Sequence, residues 1–397
     1  MIITREGVRV SDRRAVRGTV AEGFEAVREE FAAVVAGERP DYAAQVAAYV
    51  HGRKVVDLWA GPDTDGETLY GVYSSTKGAA HLLVALLVQD GTLDLDRRVA
   101  HWWPEFAAGG KGAVTLRDLL THRAGVVGVD GGFSPEELAD DRAMAGRLAG
   151  QRPYWRPGAG FGYHAYVIAA LTGEVVFRAT GRTLHELYEE RIRAPHALDF
   201  FLGLPQEHEP RFRPVQPMDP TPEQRAELAA AEVPDAPGTL PSIAYNRNGE
   251  RPTDIESLPN DRLVRAKGPA SFGGVASARG LAGMYAAAVT GLEGREPLLE
   301  AGTVAEIGQL HSVGYDLVGR DHSSFVLGFQ DSTYRYPFLG SGSFGHGGAG
   351  GSQAFADPRA GLAYGFTRRR YAFPGGAAPE NVRLVRAVHS AALASAP

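Results

Sequence analysis

Cysteine is absent from the 397 residues, which excludes disulfides, thiolate metal ligands and a cysteine nucleophile. Blocks of one charge are missing as well. The 41 Lys and Arg against 47 Asp and Glu give a net charge of −6, with no basic run and no aromatic-basic stripe, so nucleic acid is excluded as the expected partner and a small molecule is favoured. No apolar run approaches the roughly 18 residues of a membrane span. The opening Met1-Ile2-Ile3-Thr4-Arg5-Glu6 lacks the apolar core of a signal peptide, so the chain reads as cytoplasmic with no membrane partner. His-Glu-x-x-His is absent and the histidines are scattered, which removes the metal-hydrolase pattern; no metal and no cofactor is expected. Gly-x-Ser-x-Gly is absent too, which removes the serine elbow of an α/β-hydrolase.

What is present is enough apolar material, 44% of residues, for one sizeable core or two interlocked lobes. Residues 18–37 carry apolar side chains at helical spacing and end at Gly37, which predicts an amphipathic helix against a sheet. Residues 44–50 and 54–60 read as two strands around His51-Gly52-Arg53, a hairpin. From Leu93 to about Phe200 come short helical patterns broken by Gly and Pro, and residues 204–270 read as long surface excursions with one helix near 220–231. A helix returns over 277–289. Strands are expected at Phe325–Phe329, Ser352–Asp357 and Leu362–Thr367, then a last helix from Pro379 to Ala394. The fold class is therefore α+β: an antiparallel sheet built from the two ends of the chain, flanked by helices, with a helical lobe inserted. Residues 1–90 and 271–397 form the α/β lobe, residues 91–270 the mostly helical lobe with long loops, and the active site lies between them.

The stretch that organises the chain is Val72-Tyr73-Ser74-Ser75-Thr76-Lys77-Gly78, followed by the apolar run Ala79–Val88. The run predicts a buried helix starting at Ser74. One helical turn then sets the Ser74 hydroxyl and the Lys77 amine on the same face, with the free N–H groups of the first turn beside them. Ser-x-x-Lys by itself also describes a capping serine and a surface lysine. A lysine that opens an apolar helix is instead held near the core, where an amine needs a task.

Two glycine-rich loops supply the missing groups. In Trp155-Arg156-Pro157-Gly158-Ala159-Gly160-Phe161-Gly162-Tyr163 the glycines allow close approach and Tyr163 leads into an apolar helix. A tyrosine there is either packing or, as a phenolate near Lys77, a general base for the serine. In Phe344-Gly345-His346-Gly347-Gly348-Ala349-Gly350-Gly351-Ser352 the glycines serve either tight packing against the serine helix or the approach of a strand-edge N–H to a substrate carbonyl.

In this order the three stretches resemble the family of serine β-lactamases, penicillin-binding proteins and esterases with the β-lactamase fold. Gly91–Asp96, Trp103–Phe106 and Val114–Gly125 are similar to that family as well, and the resemblance spans most of residues 40–370. It implies that Ser74 is the acylated nucleophile, that Lys77 eases its ionisation, that Tyr163 shuttles its proton, and that the N–H groups of Ser74 and Ala349 form the oxyanion hole. His346, Gly347 and Gly348 then border the substrate, with Trp155 and Phe161 as apolar walls.

Two departures point to the substrate. The family's Tyr-x-Asn is Tyr163-His164-Ala165 here, without the amide for an acylamino arm, and its Lys-Thr-Gly is His346-Gly347-Gly348, with a histidine only partly charged at neutral pH. Both resemble the esterase branch, the family VIII carboxylesterases. A serine carboxylesterase acting on small-molecule esters is the expected function. Alternatives using the same three groups are an acyltransferase, a D-residue or small-peptide amidohydrolase and a weak β-lactamase; a silent binding protein of the same fold is the non-enzyme alternative. His122 and His164 are expected in structural or solvent-facing roles.

Overall fold

In the computed structural model, which describes residues 14–231 and 236–395, the first strands are β1 (Arg17–Val20), β2 (Ala44–Val50) and β3 (Arg53–Ala60). Met1–Glu6 lies outside the described residues. β2 and β3 pair antiparallel around His51-Gly52, both at positive φ (47° and 74°), the twist a two-residue hairpin turn requires. Short strands β4 (Tyr70–Gly71), β5 (Phe200–Phe201) and β6 (Val275–Ala276) make a small second sheet in the order β4-β6-β5. Then come β7 (Ser312–Tyr315), β8 (His322–Phe325), β9 (Gln330–Asp331), β10 (Phe344–Gly347), β11 (Gln353–Asp357) and β12 (Leu362–Arg368).

The main sheet is antiparallel, in the order β1-β3-β2-β12-β11-β10-β9-β8-β7. β2 and β12, far apart in sequence, pair from Leu362 opposite Val50 to Arg368 opposite Ala44. The α+β expectation with an antiparallel sheet flanked by helices is met. β11 and β12 are buried throughout, so their apolar runs are nearly continuous. Large residues face one side: Val46, Phe355, Tyr364 and Phe366 meet Phe31 and Val388 from helices Glu25–Gly37 and Asn381–Ala394. Small ones face the other. There Ala47, Ala354 and Ala363 receive helix Ala278–Val289, and a Cβ on Gly365 would stand 2.3 Å from the Ala278 carbonyl oxygen. Glycine at 365 lets that helix lie directly on the sheet.

Helix Lys77–Gln89 is buried from Lys77 to Leu87, as an all-round apolar helix must be. It shares a core with Leu119, Leu148 and Val175 of helices Leu116–Leu120, Asp141–Gly150 and Ile168–Thr180. Capping boxes at Thr115, Ser134 and Thr183 start three of the short helices in this region. Helix Pro222–Ala231 stands where the proline-rich stretch predicts one. Among the described residues no helix is long and apolar enough to cross a membrane.

Three elements differ from expectation. The helix expected over 18–37 begins at Glu25, because Arg17–Val20 pair with β3 as β1 and Gly23, at φ +87°, turns the chain between them. The strand expected over Phe325–Phe329 ends at Phe325, because Val326 N–H closes a turn onto the Phe329 carbonyl and Gly328 takes φ +84°, its N–H donating to Leu120. The α-helix expected from Ser74 starts at Lys77; a 3₁₀ turn, Tyr73–Thr76, carries the serine.

Candidate active site

That 3₁₀ turn is entered through Tyr73 at φ +47°, a left-handed conformation that costs a side-chain-bearing residue on the order of 1 kcal/mol. Tertiary contacts hold it there. The Tyr73 hydroxyl donates to the Glu256 carbonyl at 2.7 Å and its ring meets Tyr371 edge-on, centroids 5.6 Å apart. The result is selective exposure: Ser74 is half-buried while Tyr73, Ser75 and Thr76 are buried. Ser75 is structural, its Oγ donating to the His346 carbonyl at 3.1 Å and lying 2.9 Å from Ser352 Oγ.

Lys77 Nζ lies 2.7 Å from the Ala165 carbonyl oxygen, 2.8 Å from that of Ser271 and 3.2 Å from Ser74 Oγ. The side chain is fully buried, and burial pushes the amine well below the usual lysine range. A neutral amine has two hydrogens and one lone pair. When the amine is neutral the two carbonyls take its hydrogens, which leaves the lone pair for the Ser74 hydroxyl 3.2 Å away.

Tyr163 stands beside this pair, with Lys77 Nζ 4.8 Å from its ring centroid. Burial raises the phenol well above 10, so the expected phenolate is corrected to a neutral phenol. Its hydroxyl is 3.4 Å from His346 Nε2. His346 Nδ1 is 2.8 Å from the Gly347 carbonyl and donates to it, which leaves a lone pair on Nε2 to accept from Tyr163. Burial holds this imidazole well below its ordinary pKa; the partly charged histidine expected from the sequence is neutral.

The N–H groups of Ser74 and Ala349 have no hydrogen-bond partner among the described residues. Ala349 lies in a turn pinned by Gly348 N–H to Ser352 O (2.8 Å) and tied to the serine turn by Ser352 Oγ to Val72 O (2.8 Å). Two unpaired amides beside a hydroxyl can receive a developing oxyanion.

Ser74, Tyr163, His346, Gly347 and Ala349 come together on the wall of one cavity of about 430 Å³. Lys77 is buried beneath this wall, and three residues expected to border the substrate do not line it. Trp155 donates from Nε1 to the Gly160 carbonyl at 3.2 Å, and Phe161 packs against Phe325 from behind, centroids 6.0 Å apart. Gly348 is packed inward, where a Cβ would stand 2.3 Å from the Val72 carbonyl oxygen. The apolar walls are instead Tyr73, Tyr166, Tyr245, Phe272, Phe325 and Tyr371, and the cavity also holds Arg247 and Asp316. Tyr73 and Tyr166 adjoin the Ser74 and Tyr163 motifs and Phe325 ends β8, but nothing in their spacing shows that they face the cavity; Tyr245 and Arg247 lie in the stretch expected only to border a cleft.

The beta-lactamase family model matches residues 30–387. The chain belongs to the beta-lactamase family. It is 30% identical to the Mycobacterium tuberculosis esterase/beta-lactamase LipL over 91% of this chain and 84% of that protein. Among solved structures it is similar to EstA from Arthrobacter nitroguajacolicus Rue61a, with 41% identity, a TM-score of 0.88, and coverage of 96% of this chain and 99% of that one. It is also similar to a family VIII carboxylesterase, with 30% identity, a TM-score of 0.83, and coverage of 95% and 100%. Against the β-lactamase patterns, this member of the family has no amide at position 165, whose side chain is buried and whose carbonyl is occupied by Lys77, and no cation at position 346.

His122 and His164 lie buried behind Tyr163. His164 N–H donates to His122 Nδ1 at 3.2 Å, and the His122 ring meets Tyr163 at 5.2 Å. Burial holds His81 and His164 down to about 4. The unfolded chain, with histidines near 6.5, then binds more protons between pH 6.5 and about 4. Stability is therefore full above pH 6.5 and lost as pH falls toward 4, by roughly 2 kcal/mol per histidine between pH 7 and 5. Denaturant unfolding at a series of pH values should show this loss, and His164→Asn should flatten the slope; equal stability at pH 7 and 5 would contradict it.

Proposed function

We propose that this protein hydrolyses carboxylic esters through an acyl-enzyme on Ser74. The observation that carries the reading is the Lys77 amine, fully buried, hydrogen-bonded to two carbonyls and 3.2 Å from the serine hydroxyl. Lys77 takes the Ser74 proton as Oγ attacks the ester carbonyl carbon, and the N–H groups of Ser74 and Ala349 hold the oxyanion. The C–O bond to the alcohol then breaks. Tyr163 protonates the departing alkoxide and is reprotonated from Lys77, while His346 Nε2 orients the phenol. Water then attacks the acyl carbon, gives its proton to the same relay and releases the acid from Ser74. The family VIII carboxylesterase and esterase-named relatives support this choice of substrate.

Esters are favoured over β-lactams for a structural reason. A β-lactam offers a carboxylate and an acylamino arm, whereas position 346 is a neutral imidazole and position 165 an inward alanine, so neither handle contributes binding energy. An ester needs neither. We expect kcat/KM for a short-chain aryl ester to exceed that for a chromogenic cephalosporin by at least about a hundredfold, roughly 2.7 kcal/mol. Parity, or a preference for the lactam, overturns the reading. Adding alcohols to the same assay separates transfer from hydrolysis.

A further inference from the structure

One charged group in the cavity has no part in the relay above. Asp316, in the turn between β7 and β8, is 1% exposed and lines the cavity. Its Oδ1 accepts three backbone N–H groups: Tyr163 at 3.0 Å, Val318 at 2.8 Å and Gly319 at 2.9 Å. Its Oδ2 has no hydrogen-bond or ion-pair partner among the described residues, yet it is not sealed from the cavity as fully buried partnerless atoms are.

The turn does not need that second oxygen. Three N–H donors on Oδ1 are served equally by an asparagine, which avoids taking a charge out of water. The surplus is one carboxylate oxygen, on a residue that lines a cavity walled by Tyr163, Tyr166, Tyr245, Phe272, Phe325 and Tyr371. An anionic oxygen among aromatic faces is the environment that receives a cation, through a charge-assisted hydrogen bond and ring quadrupoles together. Arg247 also lines the cavity, its guanidinium 5.8 Å from the Tyr245 ring centroid, and it would favour the opposite charge.

We infer that Asp316 is a specificity-determining residue whose Oδ2 binds an ammonium group on the ester substrate. The inference rests on the ester-hydrolase reading and names the substrate class within it: small esters with a cationic amine on the acyl or the alcohol side.

The test uses isosteric esters on the purified full chain. For the acyl side, ethyl esters of ω-amino acids of two to six carbons are each compared with the ester carrying methyl, and the ester carrying carboxylate, in place of the ammonium. For the alcohol side, 2-(dimethylamino)ethyl butyrate, protonated on nitrogen, is compared with 3-methylbutyl butyrate. In at least one pair kcat/KM for the cationic ester should exceed that for the neutral isostere by tenfold or more. In Asp316→Asn the cation-to-neutral ratio should fall below about threefold. A loosened turn slows both esters alike and leaves the ratio unchanged, so the ratio reports recognition. No cationic preference in any pair, a preference for the anionic ester, or a ratio that survives Asp316→Asn overturns the inference. If neutral esters turn over while the cationic preference is absent, the inference alone falls; if none of these esters is hydrolysed, the ester-hydrolase reading falls with it.

Discussion

Ser74→Ala is expected to lower kcat/KM for a short-chain aryl ester by at least about four orders of magnitude, roughly 5.5 kcal/mol of transition-state stabilisation. No neighbouring hydroxyl can substitute. Ser75 is wholly buried, and its Oγ is committed to the His346 carbonyl and to Ser352. Thr76 donates to the Tyr73 carbonyl and accepts from Gly274 N–H. Ser75→Ala should keep most activity and lose about 1–3 kcal/mol of stability, since it strips partners from buried polar groups. A fluorophosphonate probe gives an independent readout: it should add mass to the Ser74 peptide of the wild type and leave Ser74→Ala unlabelled. Activity that survives Ser74→Ala and disappears in Ser75→Ala would sink the assignment.

The second large effect concerns the relay. Lys77→Met and Tyr163→Phe should each cost at least about 10²-fold in kcat, and the double variant should lose far less than the product of the two. Non-additivity follows from geometry: Lys77 Nζ lies 3.2 Å from Ser74 Oγ and 4.8 Å from the Tyr163 ring centroid, so removing either group breaks the same proton path. The pH profile adds a sign. Because burial lowers the Lys77 pKa, the amine is neutral and basic above that lowered value and is lost as a base when pH falls through it. The acid limb of kcat/KM should therefore vanish in Lys77→Met. Because Tyr163 titrates well above 10, no rise from phenolate formation is expected between pH 7 and 9. Single variants that are mildly impaired and strictly multiplicative would show that the unit does not exist.

The serine, lysine and tyrosine could be read from the chain because each belongs to a local pattern. Ser74 and Lys77 are one turn apart at the mouth of an apolar run, and that spacing survives the replacement of the expected α-turn by a 3₁₀ turn, since residues three apart stay on one side in both. The hairpin at His51-Gly52 and the strands expected at Ser352–Asp357 and Leu362–Thr367 were legible for the same reason: neighbouring residues state the preference. Protonation states were not. A lysine, a tyrosine and a histidine have ordinary pKa values as sequence, and only complete burial lowers the Lys77 amine, raises the Tyr163 phenol and lowers the His346 imidazole. The walls of the cavity were hidden in the same way. Trp155 and Phe161 sit beside Tyr163 in sequence yet pack one layer back, while Tyr245 and Asp316 reach it from loops more than 80 residues away along the chain. Local spacing determined which groups stand together; desolvation and long-range packing, which no stretch of chain encodes alone, decided which way their proton affinities shift and what surrounds them.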